Sequence, residues 1–248
     1  MILFLSDVHS RYEVVDRQVA HAEQEIGEPV ADVLILGDFG LFEPFLKRFF
    51  RRQGQHFLRP THFIEGNHED FDHFERLVER YRDVIDYLPR GTVHQISGTS
   101  TLALGGVCYM DSHTTPRRAE IREADIARCL AHPKGSVDVV LSHDCPAGIG
   151  VLNQSGFEHY GPPGFVGAER ILDHFHPRLW VFGHHHRWFD RTLDGTRFFG
   201  LPQSWLGCAA LTADGELHRI EHVLPEKPRP AFPLWRWFGK GKGQPPAL

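Results

Sequence analysis

The stretch Gly66-Asn67-His68-Glu69 decides the fold, because it follows the apolar segment His62-Phe63-Ile64-Glu65 and precedes a helix-like run that begins at Asp70. An apolar run that stops at a glycine and gives way to helical spacing reads as a buried strand ending in a functional loop. The residue types at that corner carry chemistry. Glycine permits a tight turn, asparagine offers a neutral oxygen to a metal, histidine moves a proton near neutral pH, and the adjoining Glu69 carboxylate can orient it.

Upstream, the pattern repeats. Residues 2–6 form a short apolar run ending in Ser6-Asp7-Val8-His9, and residues 13–26 carry Val14, Val15, Val19, Ala22 and Ile26 at helical spacing. A second strand, 31–36, ends in Gly37-Asp38-Phe39-Gly40, and a helical stretch, 43–52, leads to the third strand at 61–65. Strand–helix alternation predicts a parallel sheet with its functional loops at the carboxyl ends of the strands. Downstream, a helix is expected over 70–87. Residues 92–97 and 101–107, joined by Ser97-Gly98-Thr99-Ser100, then read as a hairpin that adds antiparallel members to the sheet. Next come Asp111-Ser112-His113, the basic pair Arg117-Arg118, a helix at 119–131, and a strand at 137–141 ending in Ser142-His143-Asp144.

The glycine- and proline-rich stretch 146–167 is long for a loop in a compact domain, which marks a binding loop or a mobile segment. A short helix, 168–174, precedes the strand 179–182 and Gly183-His184-His185-His186. Over 187–219, short β runs broken by the turn signals Asp194-Gly195 and Asp214-Gly215 are expected to complete a second sheet. Beyond His222 the composition shifts to proline, glycine and lysine with Trp235 and Trp237, so the chain divides into one domain over 1–222 and an irregular tail over 223–248.

Composition narrows the field. With 248 residues, 41% hydrophobic and 24% charged, the chain can bury one sizeable core without staples. A formal charge of −5 gives no general attraction to nucleic acid or anionic membrane, although a nucleotide or nucleic-acid substrate met by a local patch stays open. Cys108, Cys129, Cys145 and Cys208 are scattered without a CxxC pair, which fits free thiols and a cytoplasmic setting. Met1-Ile2-Leu3-Phe4-Leu5 is too short for a signal segment and reads as a buried strand, and no run reaches the ~20 apolar residues of a membrane span.

Five strand ends thus carry Asp7-Val8-His9, Gly37-Asp38, Gly66-Asn67-His68-Glu69, His143 and Gly183-His184-His185-His186. Each alone is weak. Together they supply oxygen and imidazole donors suited to Mn, Fe, Zn, Co or Ni rather than to a thiolate-bound structural zinc. Two such ions ~3.5–4 Å apart need a shared anion, which a carboxylate such as Asp38 can provide. Water held between them ionises near neutral pH, and His68 as imidazolium can protonate a departing alkoxide.

In this order the motifs resemble those of the calcineurin-like metallophosphoesterases, DxH, GD, GNH(E/D), H and GHxH, over residues 3–190. The resemblance implies a four-layer αββα sandwich of two mixed β-sheets flanked by helices. It implies two divalent ions, Mn first and Fe, Zn, Co or Ni as alternatives, with Asp7, His9 and His186 on one, Asn67, His143 and His184 on the other, and Asp38 bridging. The implied reaction is phosphoester hydrolysis, of a diester ahead of a monoester, by a metal-bridging hydroxide with His68 as general acid. His185 should face away, since alternate residues of an extended segment do.

Asp38 is followed by Phe39-Gly40-Leu41, without the second Asp and the Arg of the GDxxDRG pattern of serine/threonine phosphatases. That makes a phosphoprotein phosphatase the second reading and a non-catalytic scaffold on the same fold the third. Local segments around Gly37, Gly66, Leu141–Pro146 and 172–180 are also similar to RNA lariat debranching enzymes, which commonly carry cysteine where Asp7 stands. Arg117-Arg118 reads as a solvated helix start rather than a phosphate clamp, and the basic residues of 47–52 as a solvated face beside core aromatics. Cys145 is not needed as a nucleophile where activated water serves.

Overall fold

In the computed structural model, which describes residues 1–225, the whole of the first strand, β1 (Ile2–Leu5), is buried. Its side chains alternate between two faces: Ile2 and Phe4 join one apolar cluster, Leu3 and Leu5 another. A strand apolar on both faces has to be covered on both. The next two strands follow in parallel, β2 (Asp32–Leu36) on β1 and β3 (Thr61–Ile64) on β2, and divide their residues the same way. The crossovers are α1 (Glu13–Ile26) and α2 (Glu43–Leu46), whose Val15, Val19 and Leu46 pack on the outer face beside Val33, Ile35 and Phe63. Phe74, Leu77 and Tyr81 of α3 (Phe74–Tyr81) complete that layer.

The inner face meets a second sheet. Its strands are β5 (Thr92–Ile96), β6 (Thr99–Leu104), β7 (Val139–Ser142), β8 (Leu179–Phe182), β9 (Phe189–Leu193) and β10 (Thr196–Gly200), in the order β5-β6-β7-β8-β10-β9. Val139, Leu141, Leu179, Val181 and Phe199 interleave with Ile2, Phe4, Leu34 and Leu36 across the interface. On the far side, α4 (Glu123–Leu130) and α5 (Ala168–Phe175) seat Ile126, Ile171 and Phe175 on Leu102, Leu104, Val140, Trp180 and Phe182. Three apolar interfaces therefore separate four layers, helices outside and two mixed six-stranded sheets inside.

Sequence expectation and structure part at five places. The helix expected over 70–87 is confined to α3, and Asp86–Tyr87 instead forms a short strand, β4, beside β3. Tyr87 packs on Phe63 and Phe74 and donates its hydroxyl to Glu65, so burial of the ring against the sheet edge outweighs continuation of the helix. The hairpin after residue 92 opens the second sheet rather than extending the first, and its turn is the two-residue Ser97-Gly98, with φ of 45° and 79°, the geometry whose twist suits adjacent antiparallel strands. Of the 187–219 strands, only β9 and β10 complete the second sheet. The last pair, β11 (Cys208–Leu211) and β12 (Leu217–Ile220), returns to the first sheet along the open edge of β1.

The helical stretch 43–52 widens after α2 into a π turn over Lys47–Arg52, where Gln53 N–H reaches Arg48 O at 3.0 Å. Both Phe49 and Phe50 can then face Tyr12, at ring separations of 5.4 and 5.6 Å. The helix expected over 119–131 shortens to α4, because Glu120 is bridged to Val107 and Arg122 is extended. The tail expected to be irregular is described only at 223–225, and 226–248 lie outside the described residues.

Candidate metal centre

Side chains from the carboxyl ends of β1, β2, β3, β7 and β8 converge at one end of the two-sheet sandwich. Five of the seven expected donors have positive φ: Asp7 54°, His9 48°, Asp38 49°, His184 63° and His186 53°. Non-glycine residues seldom adopt this region, and they persist there where the surroundings over-determine them. The consequence is local: each chain turns back as it leaves its strand, so that neighbouring side chains point to a common centre.

Two buried carboxylates lie at that centre. Asp7 Oδ2 accepts from Ser6 Oγ at 2.6 Å and from His184 N–H at 3.1 Å, while Asp7 Oδ1 lies 3.0 Å from His186 Nε2 and 3.8 Å from His9 Nε2. Asp38 Oδ1 accepts the Asn67 and His68 N–H groups, both at 2.8 Å, and lies 3.3 Å from His143 Nε2. Its other oxygen is 3.7 Å from His9 Nε2 and 4.0 Å from His68 Nε2. Asp38 therefore stands between His9 on one side and His143 on the other. Donor atoms of Asp7, His9 and His186 lie within 4.8 Å of one another, as do those of Asp7, Asp38 and His143.

Hydrogen bonds on the far side of two of these side chains set their orientation. His143 Nδ1 is 2.7 Å from Leu36 O, which can only accept, so the proton sits on Nδ1 and Nε2 turns inward. Asn67 Nδ2 donates to Thr114 O at 2.8 Å, leaving Asn67 Oδ1 to face the centre 3.3 Å from His143 Nε2. The ring of His184 lies 5.0 Å from that of His143. Two glycines make the closeness feasible. A Cβ on Gly66 would lie 2.1 Å from Asp38 Oδ1, and one on Gly37 would lie 2.2 Å from His143 Nδ1.

The electrostatics favour a cation. Burial opposes the charged form of Asp7, yet the His186 hydrogen bond and the charges of His143 and His186 hold its carboxyl down at about 2. Asp38 is likewise held well below the usual carboxylate range, against burial, by His143, His68 and His9. Burial alone would lower His143, but Asp38 and Asp7 push it up to about 10, whereas burial takes His184 down to about 4. Protons on imidazole thus balance the two carboxylates, which is the charge that metal ions would supply. Carboxylate, imidazole and amide oxygen without thiolate fit Mn, Fe, Zn, Co or Ni.

Two supporting residues differ from the sequence reading. The Glu69 carboxylate accepts the Phe39 and Leu41 N–H groups and so props the loop that carries Asp38, rather than orienting His68. Burial and the Asp38 charge raise Glu69 to about 8. Asp144, not singled out from sequence, is buried and accepts from Cys145 N–H and Cys108 N–H, each at 2.8 Å, and pairs with His185 Nε2 at 2.9 Å. His185 accordingly faces Asp144. Only adjacency to His143 and to the histidine triplet hinted at this pair; the contact itself is tertiary. The Cys145 thiol is buried and pushed far up by burial, which is wrong for a nucleophile. Arg118 is bound to Phe71 O and Glu75, and Arg117 lies over the Tyr109 ring at 5.3 Å.

Two mixed sheets packed face to face, with metal-type donors gathered at their strand ends, define the metallophosphoesterase fold. The chain belongs to the calcineurin-like phosphoesterase family, which it matches over residues 1–188. No curated protein resembles it closely enough in sequence to count as a match. Among solved structures, one crystal structure superposes with a TM-score of 0.63 at 15% identity, covering 90% of this chain and 98% of that one. GAP50, the anchor in the inner membrane complex of Plasmodium, gives 0.52 at 12% identity, covering 91% of this chain and 89% of that one. A Staphylococcus aureus protein provisionally named a 5'-nucleotidase, in complex with alpha-ketoglutarate, gives 0.50 at 14% identity; this chain is 94% covered but spans only 55% of it. At these identities the likeness concerns the fold. No helix among the described residues is long and apolar enough to cross a membrane.

Proposed function

We propose that the chain is a dinuclear-metal-dependent phosphoesterase that prefers phosphodiesters. One observation supports this above all: two buried carboxylates, four imidazoles and an amide oxygen face a common centre, with half-exposed His68 at its mouth. Asp7, His9 and His186 would hold one divalent ion and Asn67, His143 and His184 the other, with Asp38 between them. When bound, the ions would neutralise phosphoryl charge and bring the ionisation of a water near neutral pH.

The chain's own residues do the rest. His68 stands 4.0 Å from Asp38 Oδ2, and its exposure lets it reach a leaving group and protonate the departing alkoxide. Asn67, being neutral, leaves the centre cationic enough to attract phosphate. Glu69 holds the Asp38 loop still. That loop continues into buried Phe39 and Leu41, so it brings no arginine to the site, and a singly charged diester asks for less cationic compensation than a doubly charged monoester. Manganese is the first candidate ion. We also read 1–222 as the catalytic unit, 223–248 as an appended tail, and the four unpaired cysteines as fitting the cytoplasm.

Hydrolysis of bis-p-nitrophenyl phosphate should be stimulated by manganese and should fall at least about 100-fold in His68→Ala and in Asp38→Asn, with unchanged circular dichroism. Activity surviving intact in Asp38→Asn would remove the proposal. Faster turnover of p-nitrophenyl phosphate or of a phosphopeptide would put a phosphomonoesterase first. Manganese binding without turnover of any ester would indicate a scaffold.

A further inference from the structure

The loop over residues 146–167 leaves the end of β7 three residues after His143. It closes at its neck, where Ala147 N–H bonds Phe165 O at 2.9 Å and Phe165 N–H bonds Cys145 O at 3.0 Å. Ile149, Val151 and Phe165 are buried in the apolar cluster over the second sheet, so the neck is fixed to the scaffold. The tip is different: Leu152, Phe157 and Tyr160 are exposed.

Two tethers place that tip. Gln154 Nε2 donates to His185 O at 3.4 Å, between His184 and His186. Tyr160 donates its hydroxyl to Asp111 Oδ2, while Asp111 Oδ1 accepts the Thr114 N–H at 2.9 Å and the Thr114 hydroxyl at 3.1 Å. Thr114 O in turn accepts from Asn67 Nδ2. One tether therefore ends at the histidine triplet and the other, through Thr114, at Asn67. The tip is thereby held beside the segments that carry Asn67, His184 and His186.

Between the tethers, the chain folds into a tight turn, with Phe157 N–H on Gln154 O at 3.0 Å and Tyr160 N–H on Phe157 O at 3.1 Å. The rings of Phe157 and Tyr160 lie 5.9 Å apart and those of His159 and Tyr160 4.0 Å apart. The result is an aromatic ledge beside the metal-type donors. Glu158 and Asp111 at the same rim repel a second phosphate, so a neutral ring fits there and a polyphosphate chain does not.

We infer that Phe157 and Tyr160 form a stacking subsite for a planar ester group, and that the preferred substrate is a phosphodiester carrying a nucleoside. This rests on the phosphoesterase reading. Two esters with the same leaving group separate the two claims: the p-nitrophenyl ester of thymidylate and ethyl p-nitrophenyl phosphate. With manganese, kcat/KM for the thymidylate ester should exceed that for the ethyl ester by about 5- to 150-fold, the range set by base–aromatic stacking. The ratio should collapse towards one in Phe157→Ala, with the change in KM. Tyr160→Phe, which keeps the ring but releases Asp111, should retain the greater part of the preference.

A wild-type ratio near one, or a ratio unchanged in Phe157→Ala, would overturn the subsite and leave the phosphoesterase reading standing. If neither ester reacts, that reading falls, and calorimetric titration of the manganese-loaded protein with thymidylate and with ethyl phosphate still reads the ledge. Equal affinities for the two would then overturn the inference.

Discussion

Gly66→Ala is the substitution through which the geometry of the centre can be tested most directly. The added methyl would sit 2.1 Å from Asp38 Oδ1 and 2.7 Å from His143 Nε2, while ordinary contact begins at 3.4 Å. Set against 3.4 Å, the 2.1 Å approach obliges the Asp38 carboxylate to retreat by about 1.3 Å. It cannot do so freely, because the same oxygen accepts the Asn67 and His68 N–H groups. Overpacking of this kind costs about 1–3 kcal/mol, which a domain with three separate apolar clusters should survive. If Asp38 is the shared ligand of the proposed pair of ions, displacing it by ~1 Å should cost about 100-fold in rate. The assay pairs metal content by elemental analysis with manganese-stimulated diester hydrolysis and a thermal melt.

Gly98→Ala serves as the control. Its φ of 79° strains an L residue, but no atom stands within 4 Å of the new methyl, so stability should fall while metal content and rate persist. If Gly66→Ala kept two ions and hydrolysed the diester within about threefold of wild type, Asp38 would not be the shared ligand, since a ~1 Å shift there should be felt.

Asp144→Ala should destabilise the fold by about 1–3 kcal/mol, by leaving the buried Cys145 N–H unpaired, and should weaken metal affinity by releasing His185, which sits between His184 and His186; melts and metal titration read the two effects separately. Manganese added to the metal-free protein at pH 7 should release protons, because His143, at about 10, is charged there and must free its Nε2, whereas His184, at about 4, is already neutral. Titration in buffers of different ionisation enthalpy measures the release, and none at pH 7 would contradict the assignment of His143. The Asp7 carboxyl is depressed in the folded state, so its contribution to stability is present above the unfolded value of about 3.9 and is lost as pH falls towards about 2. Acid titration of the metal-free protein, followed by circular dichroism, should show that loss in wild type and a weaker one in Asp7→Asn.

Much of this molecule is readable from local pattern. Strands such as β1, β2 and β8 are continuous apolar runs bounded by turn residues, and Glu13–Ile26 repeats its apolar positions at helical spacing, so each declares itself within a few residues. The site residues were visible for the same reason. Asp7, His9, Asp38, Asn67, His68, His143, His184 and His186 each follow an apolar run, and short-range order along the chain is what a sequence records directly.

What lies beyond that range was decided by packing. Nothing within 92–104 says that its hairpin starts a second sheet, and nothing within 208–220 says that its strands return to β1; both depend on which edge is still open when the strand arrives. Tyr87 abandons a helix because Phe63 and Phe74 offer its ring a buried seat. The partners that orient the donors, Leu36 O for His143 and Thr114 O for Asn67, lie 107 and 47 residues away along the chain, and Asp144, which holds His185, lies 41 residues from it. A residue's chemistry is written in its own side chain and its neighbours in sequence, but its tautomer, charge and direction are set by whatever the closed fold brings against it.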